Sequence, residues 1–185
     1  MTNPVERSNY FHLVADIAWF GMAFAAINRF LTFYAIRLDA TPFEQGLIAA
    51  LPALMLLFST GLSGWWRNRF HDSIAAIFIP SLGFRLMFLL PAFVPWFPPQ
   101  IQVFCLIMAI VLPAFPQGIA NATFVVMMRE AISDDLLPKL WGQRLVALNI
   151  TLATMTILFG YMLDWLPFPL GYQLMFLLAF LLNLL

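Results

Sequence analysis

The sequence predicts an all-α membrane protein, a bundle of six transmembrane helices. Three observations predict it. Of 185 residues, 63% are hydrophobic and only 10% charged, against about 25% charged in a soluble domain. The apolar residues gather into runs close to the ~20 residues that a helix needs to cross a bilayer. The basic residues are shared unevenly between alternate loops, as the positive-inside rule demands. A formal net charge of zero gives no electrostatic case for a nucleic-acid partner.

The first element is a span over 11–36. Glu6 beside Arg7, a long apolar run and the lack of an A-x-A site argue against a cleavable signal, so this span reads as an uncleaved anchor. A polar turn leads through Pro42, a residue suited to the first turn of a helix, into span two over 43–63. Span three covers 73–93, and Pro95, Pro98 and Pro99 stop it. Span four covers 101–128 and contains Pro113 and Pro116. These are expected to kink it, and such breaks survive in lipid only against protein or water. Span five covers 142–163. Span six, over 170–185, has only about 16 residues against the ~20 required, so the last helix reads as truncated and the chain as cut short.

The segment Gly61-Leu-Ser-Gly-Trp-Trp-Arg-Asn-Arg-Phe70 fixes the orientation of the chain. Trp65 and Trp66 suit the headgroup level, and Arg67, Arg69 and His71 suit the cytoplasmic side. With the N-terminus inside, the inner segments hold Arg7, Arg67, Arg69, Arg129, Lys139 and Arg144, whereas the outer loops hold only Arg37. Arg29 and Arg85 fall within spans. The expected location is the cell (inner) membrane, multi-pass, with a cytoplasmic N-terminus.

Helical spacing reveals small and polar stripes on four spans. They comprise Gly21, Ala25, Asn28 and Thr32 on span one, and Gly46, Ala50, Ala53, Thr60 and Gly64 on span two. Span four contributes Gln117 and Asn121 beside Gly118 and Ala122, and span five Asn149, Ala153, Thr156 and Gly160. Small residues let helices approach closely in lipid, so helix packing explains the stripes as readily as a water-filled pathway does. Span three is poorer in such residues and reads as peripheral.

Charges inside spans are the sharper signal, since each costs roughly 2.5–3.5 kcal/mol at a helix centre. Arg29, beside the span-one stripe, is the candidate for contacting an anionic or polar solute. Arg85 reads as a structural cross-helix contact. Asp16 lies about 20 Å along the helix from Arg29, too far to pair with it, and reads as an interfacial residue near the inner rim. Asn28, Arg29, Gln117, Asn121 and Asn149 are thus the candidate substrate-binding residues.

No catalytic constellation accompanies them. His12 and His71 have no neighbours at metal-ligand spacing, and no G-x-S-x-G, H-E-x-x-H or phosphate-loop motif occurs. The single cysteine, Cys105, cannot form an internal disulfide. The sequence therefore points to no enzyme, no cofactor and no metal.

Six spans, a short basic loop after span two, a longer charged loop after span four and an inside N-terminus resemble the N-terminal half of a major facilitator superfamily (MFS) transporter. The family's loop signature is approximately G-x-x-x-D-R-x-G-R. Gly61 and Arg69 match it, Arg67 lies within it, and Trp65, Trp66 and Asn68 depart from it. Pro116-Gln-Gly-Ile119 resembles the family's R-x-x-Q-G-x pattern, with Ala114 at the arginine position. Phe168-Pro-Leu-Gly-Tyr-Gln173 is similar to the outer turn before span six in bacterial members. The resemblance implies an MFS-like bundle of two inverted three-helix repeats, with spans one, two, four and five facing a central cavity. An echo of such repeats is Gly61-x-x-x-Trp65-Trp66 against Gly160-x-x-x-Asp164-Trp165. It further implies secondary active transport of a small solute by alternating access, with a coupling ion and a missing C-terminal half or a second copy as further partners. The alternative is a non-transporting multi-pass membrane scaffold or assembly subunit that uses the stripes to bind partner helices.

Overall fold

The computed structural model describes residues 4–184. Among them the chain is all helical, and five helical segments are long and apolar enough to cross a membrane. The first segment comprises α1 (Pro4–Ala25), one π-helical turn (Ala26–Phe30) and α2 (Leu31–Arg37). The second is α3 (Pro42–Arg67), and the third is α4 (Ser73–Leu89) followed by a 3₁₀ segment (Leu90–Trp96). The fourth and fifth are α5 (Pro99–Ala131) and α6 (Leu137–Trp165). The shorter sixth helix, α7, is Leu170–Leu184.

The helices run past the apolar stretches at their polar ends because capping groups, rather than hydropathy, decide where a helix stops. Thr41 caps α3 in a reciprocal box. Its hydroxyl accepts from the Glu44 N–H at 3.3 Å, and the Glu44 carboxylate accepts from the Thr41 N–H at 2.8 Å. Pro42 follows at the first helical position. The turn before it needs one left-handed residue, supplied by Asp39 at φ 63°, a conformation that Asp tolerates better than most. The prolines at 91 and 95 turn the end of the third segment into 3₁₀ geometry, whereas Pro113 and Pro116 lie inside a continuous α5.

Helix α5 is the most buried of the long helices. It packs along α3 and α4, while α1 packs along α6 and α7, and α4 meets α7. Glycines set the closest crossings. A methyl group at Gly118 of α5 would collide with Ser59 Oγ and lie 2.9 Å from the Leu56 carbonyl oxygen of α3. One at Gly21 of α1 would collide with Thr151 Oγ1 and lie 3.0 Å from the Leu148 carbonyl oxygen of α6. Gly83 of α4 sits against Pro116 of α5, where a methyl would come within 2.9 Å of the ring. These three glycines are packing residues.

The main apolar core gathers Tyr34, Phe88, Leu106, Phe159, Met175 and Phe176, all nearly inaccessible. A smaller cluster of Tyr10, Leu13, Met128, Ile132 and Leu140 closes the end carrying loops 68–72 and 132–136, hereafter the basic end. Large side chains such as Phe43, Leu57, Phe104, Leu145 and Ile157 are exposed along the long helices. Lipid chains are as apolar as these side chains, so exposure there carries no hydrophobic penalty.

Candidate functional site

Five of the six segments contribute to one polar cavity of about 180 Å³. Its polar lining is Asp16 from α1, Ser81 and Arg85 from α4, Asn121 from α5, Arg144 from α6 and Asn183 from α7. Arg85 is midway along the third segment, about 18 Å from Ser73 at ~1.5 Å per residue. Arg144 is about 10 Å along α6 from Leu137 by the same measure. The cavity therefore lies within the length of the helices but is open on one side, since Asp16 and Asn121 are exposed, and only its buried polar groups require a partner.

Arg144 is only 5% exposed. Its Nη1 donates to the Leu13 carbonyl oxygen, and both Nη groups reach Asp16 Oδ2 at 3.4 Å. The guanidinium carbon also lies 4.7 Å from the centroid of the Phe124 ring, a cation–π distance. The Nε remains buried with no hydrogen-bond partner among the described residues. The Asp16 side chain is 54% exposed, so the pair is one buried base held by a wetter acid.

Arg85 donates from Nε to the Asn183 backbone oxygen at 2.8 Å and to its Oδ1 at 3.2 Å. This is the cross-helix contact expected for Arg85, here joining α4 to α7. Asn183 is itself 7% exposed. One acid and two bases therefore share the cavity wall, leaving one formal positive charge in excess.

The expected substrate residues are distributed unevenly around this site. Asn121 lines the cavity. Asn28 and Arg29 are exposed and occupy the π-helical turn, a local overwinding often found at functional positions, but they lie outside the cavity. Gln117 is half-buried one turn from Asn121. Asn149 is exposed, and its amide folds back onto the Leu145 carbonyl oxygen at 2.8 Å.

Gly46 and Gly64 on α3, with Gly61 beside them, and Gly160 on α6 have nothing within 4 Å of an added methyl group. Those parts of the stripes are uncovered. Gly21, by contrast, is consumed in packing α1 on α6.

The loop motif forms a polar clasp at the basic end. Arg67 Nη2 pairs with Glu130 Oε1 of α5 at 2.8 Å and donates to Ser73 Oγ at 3.3 Å. The Arg69 guanidinium covers the Trp65 ring at 3.6 Å, and Trp66 Nε1 donates to the Ala76 carbonyl oxygen at 2.8 Å. Glu6 accepts from the Ser133 N–H at 2.9 Å, joining α1 to the loop after α5.

Arg144 was grouped by sequence with the cytoplasmic charges, and the structure instead buries it inside α6. The signal was present. Asp16 and Arg144 both lie in the half of their segments nearer the basic end, an acid and a base on adjacent helices. A search for partners along one helix misses such a pair. Among the described residues no group of three or more His, Cys, Asp or Glu could hold a metal ion. No protein-family model matches the chain, and neither any curated protein nor any solved structure matches it.

Proposed function

We propose that the bundle is one half of a secondary transporter that moves a small solute by alternating access, in the manner of an MFS N-terminal domain. The observation that carries this reading is the charged cavity: ionisable groups inside membrane helices mark substrate or ion pathways, and Asp16, Arg85 and Arg144 converge there from three helices, although the third and sixth segments line it in place of the second, which the resemblance implied. Helix pairing supports it. Exchanging the first three segments for the last three maps α3 on α5 onto α6 on α1, maps α4 on α5 onto α7 on α1, and leaves α4 on α7 unchanged. Gly21 and Gly118 are then counterparts, as are Arg85 and Asn183. This is the pairing expected of an inverted repeat.

In this reading the basic end faces the cytoplasm, and the membrane is the cell's inner membrane. The second six-helix unit, a C-terminal half or a second copy, covers the open faces of α3 and α6. Asn28 and Arg29 face the solute path, with a coupling ion as a further partner. The same uncovered glycines favour a second reading, a non-transporting scaffold or assembly subunit that binds partner helices.

Purification in detergent, mass determination and reconstitution into liposomes separate these readings. Transport predicts that the chain associates into assemblies, that these move a solute from a library of small anions and sugars, and that Arg29→Gln impairs uptake without loss from the membrane. A stable monomer that catalyses uptake refutes the half-bundle architecture. Assemblies that form but move nothing favour the scaffold.

A further inference from the structure

We infer that the cavity between α1, α4, α5, α6 and α7 binds a small oxyanion, a carboxylate or phosphate group, on Arg85 and Arg144. The inference deepens the transport reading by naming a substrate class, and binding can be measured without transport.

Charge is the first argument. Arg85, Arg144 and Asp16 line one cavity, and Asp16 is engaged by Arg144. Arg85 forms no ion pair, since its bonds run to the amide and backbone oxygens of Asn183, and it shares the single acid Asp16 with Arg144 at longer range. Two guanidinium groups sharing one acid inside a membrane helix bundle are costly, and an anion in the cavity would offset that cost. Donor geometry is the second. Arg85 uses only its Nε, so among the described residues its Nη groups make no hydrogen bond. Arg144 keeps a buried Nε with no partner. Guanidinium groups bind carboxylate and phosphate through paired donors, and the Arg85 Nη groups are left for that role. Asn121 and Ser81 add neutral donors to the same wall. Size is the third: about 180 Å³ admits an inorganic phosphate or a short dicarboxylate, given that one water occupies ≈ 30 Å³ of liquid.

An oxyanion at this site can come from a free solute or from a lipid headgroup. The test is thermal unfolding of the purified chain in neutral detergent. Inorganic phosphate or succinate is added in one arm, phosphatidylglycerol in another, and sodium chloride at matched ionic strength in a third. The expected result is stabilisation by the oxyanion above that given by chloride. The apparent affinity should be at least about ten-fold weaker in Arg85→Gln, largely kept in Arg85→Lys, and unchanged in Arg129→Gln, which alters an exposed base outside the cavity. Ser81→Leu, which narrows the cavity without altering charge, should also abolish the response and carries the test if Arg85→Gln cannot be purified. Stabilisation by phosphate or succinate identifies a free solute. A response confined to phosphatidylglycerol, with the same variant dependence, identifies the lipid as the source. Stabilisation equal to that of chloride in every arm, or a response that survives Arg85→Gln or Ser81→Leu, overturns the inference.

Discussion

Replacing Gly118 with alanine should separate the central helix from α3, and the size of the effect follows from distances. The new methyl group would collide with Ser59 Oγ, which can rotate away, but also lie 2.9 Å from the Leu56 carbonyl oxygen and 3.1 Å from the Thr60 nitrogen. Those two are backbone atoms of a helix and can yield only if the helix moves. Ordinary contact begins at 3.4 Å, so α3 and α5 must part by about 0.5 Å, a gap that already forfeits roughly a quarter of the dispersion well for the atoms concerned. Overpacking of this kind costs about 1–3 kcal/mol. Alanine also gains about 1 kcal/mol over glycine in helix propensity, which would mask part of the loss. Gly64→Ala, where nothing lies within 4 Å, gains propensity without a clash. The difference between the two variants therefore isolates the clash at about 1–3 kcal/mol. At ~2–4 °C per kcal/mol for a chain of this size, Gly118→Ala should unfold at least about 2 °C below Gly64→Ala. Thermal unfolding in detergent, followed by size-exclusion fluorescence, reads it. Adding Ser59→Ala should recover part of the loss but not all, because the Leu56 carbonyl remains. Equal midpoints for the two alanine variants would refute the reasoning.

Three further outcomes are expected. Asp16→Asn should destabilise more than Arg144→Met, because it leaves a guanidinium that is only 5% exposed without its acid, whereas Arg144→Met leaves a carboxylate that is 54% exposed. Its cost should fall below the roughly 3–5 kcal/mol of a fully buried pair; equal midpoint shifts in thermal unfolding would contradict this. Glu130→Gln should cost less than about 1 kcal/mol, and the loss should shrink in high salt, since the Arg67–Glu130 pair is nearly half exposed on both sides. A salt-independent loss would point to a different role for Glu130. In a Cys105→Ala background, an impermeant thiol reagent on intact cells should label Phe97→Cys and spare Asn68→Cys and Ser133→Cys; labelling at 68 but not 97 reverses the proposed orientation.

Composition and the period of the apolar runs sufficed to read an all-α bundle of long apolar helices, because a backbone in lipid has few other ways to satisfy its hydrogen bonds. The polar turn before α3 and Pro42 at its first helical position were equally legible, since they act within one turn of each other, whereas the Thr41–Glu44 box emerged with the structure. Arg85 could be read as a cross-helix residue from its depth alone, because a charge there must find a partner. Its partner could not be read, as Asn183 is 98 positions away and only tertiary packing brings it near. The same holds for Asp16 and Arg144, which face one another because α1 lies along α6. The small-residue stripes show the limit most directly. Gly21 and Gly64 look alike in sequence, yet one is pressed against Thr151 and the other meets nothing within 4 Å. A glycine on a helix face permits close approach, and which helix approaches is decided by the packing of the whole bundle.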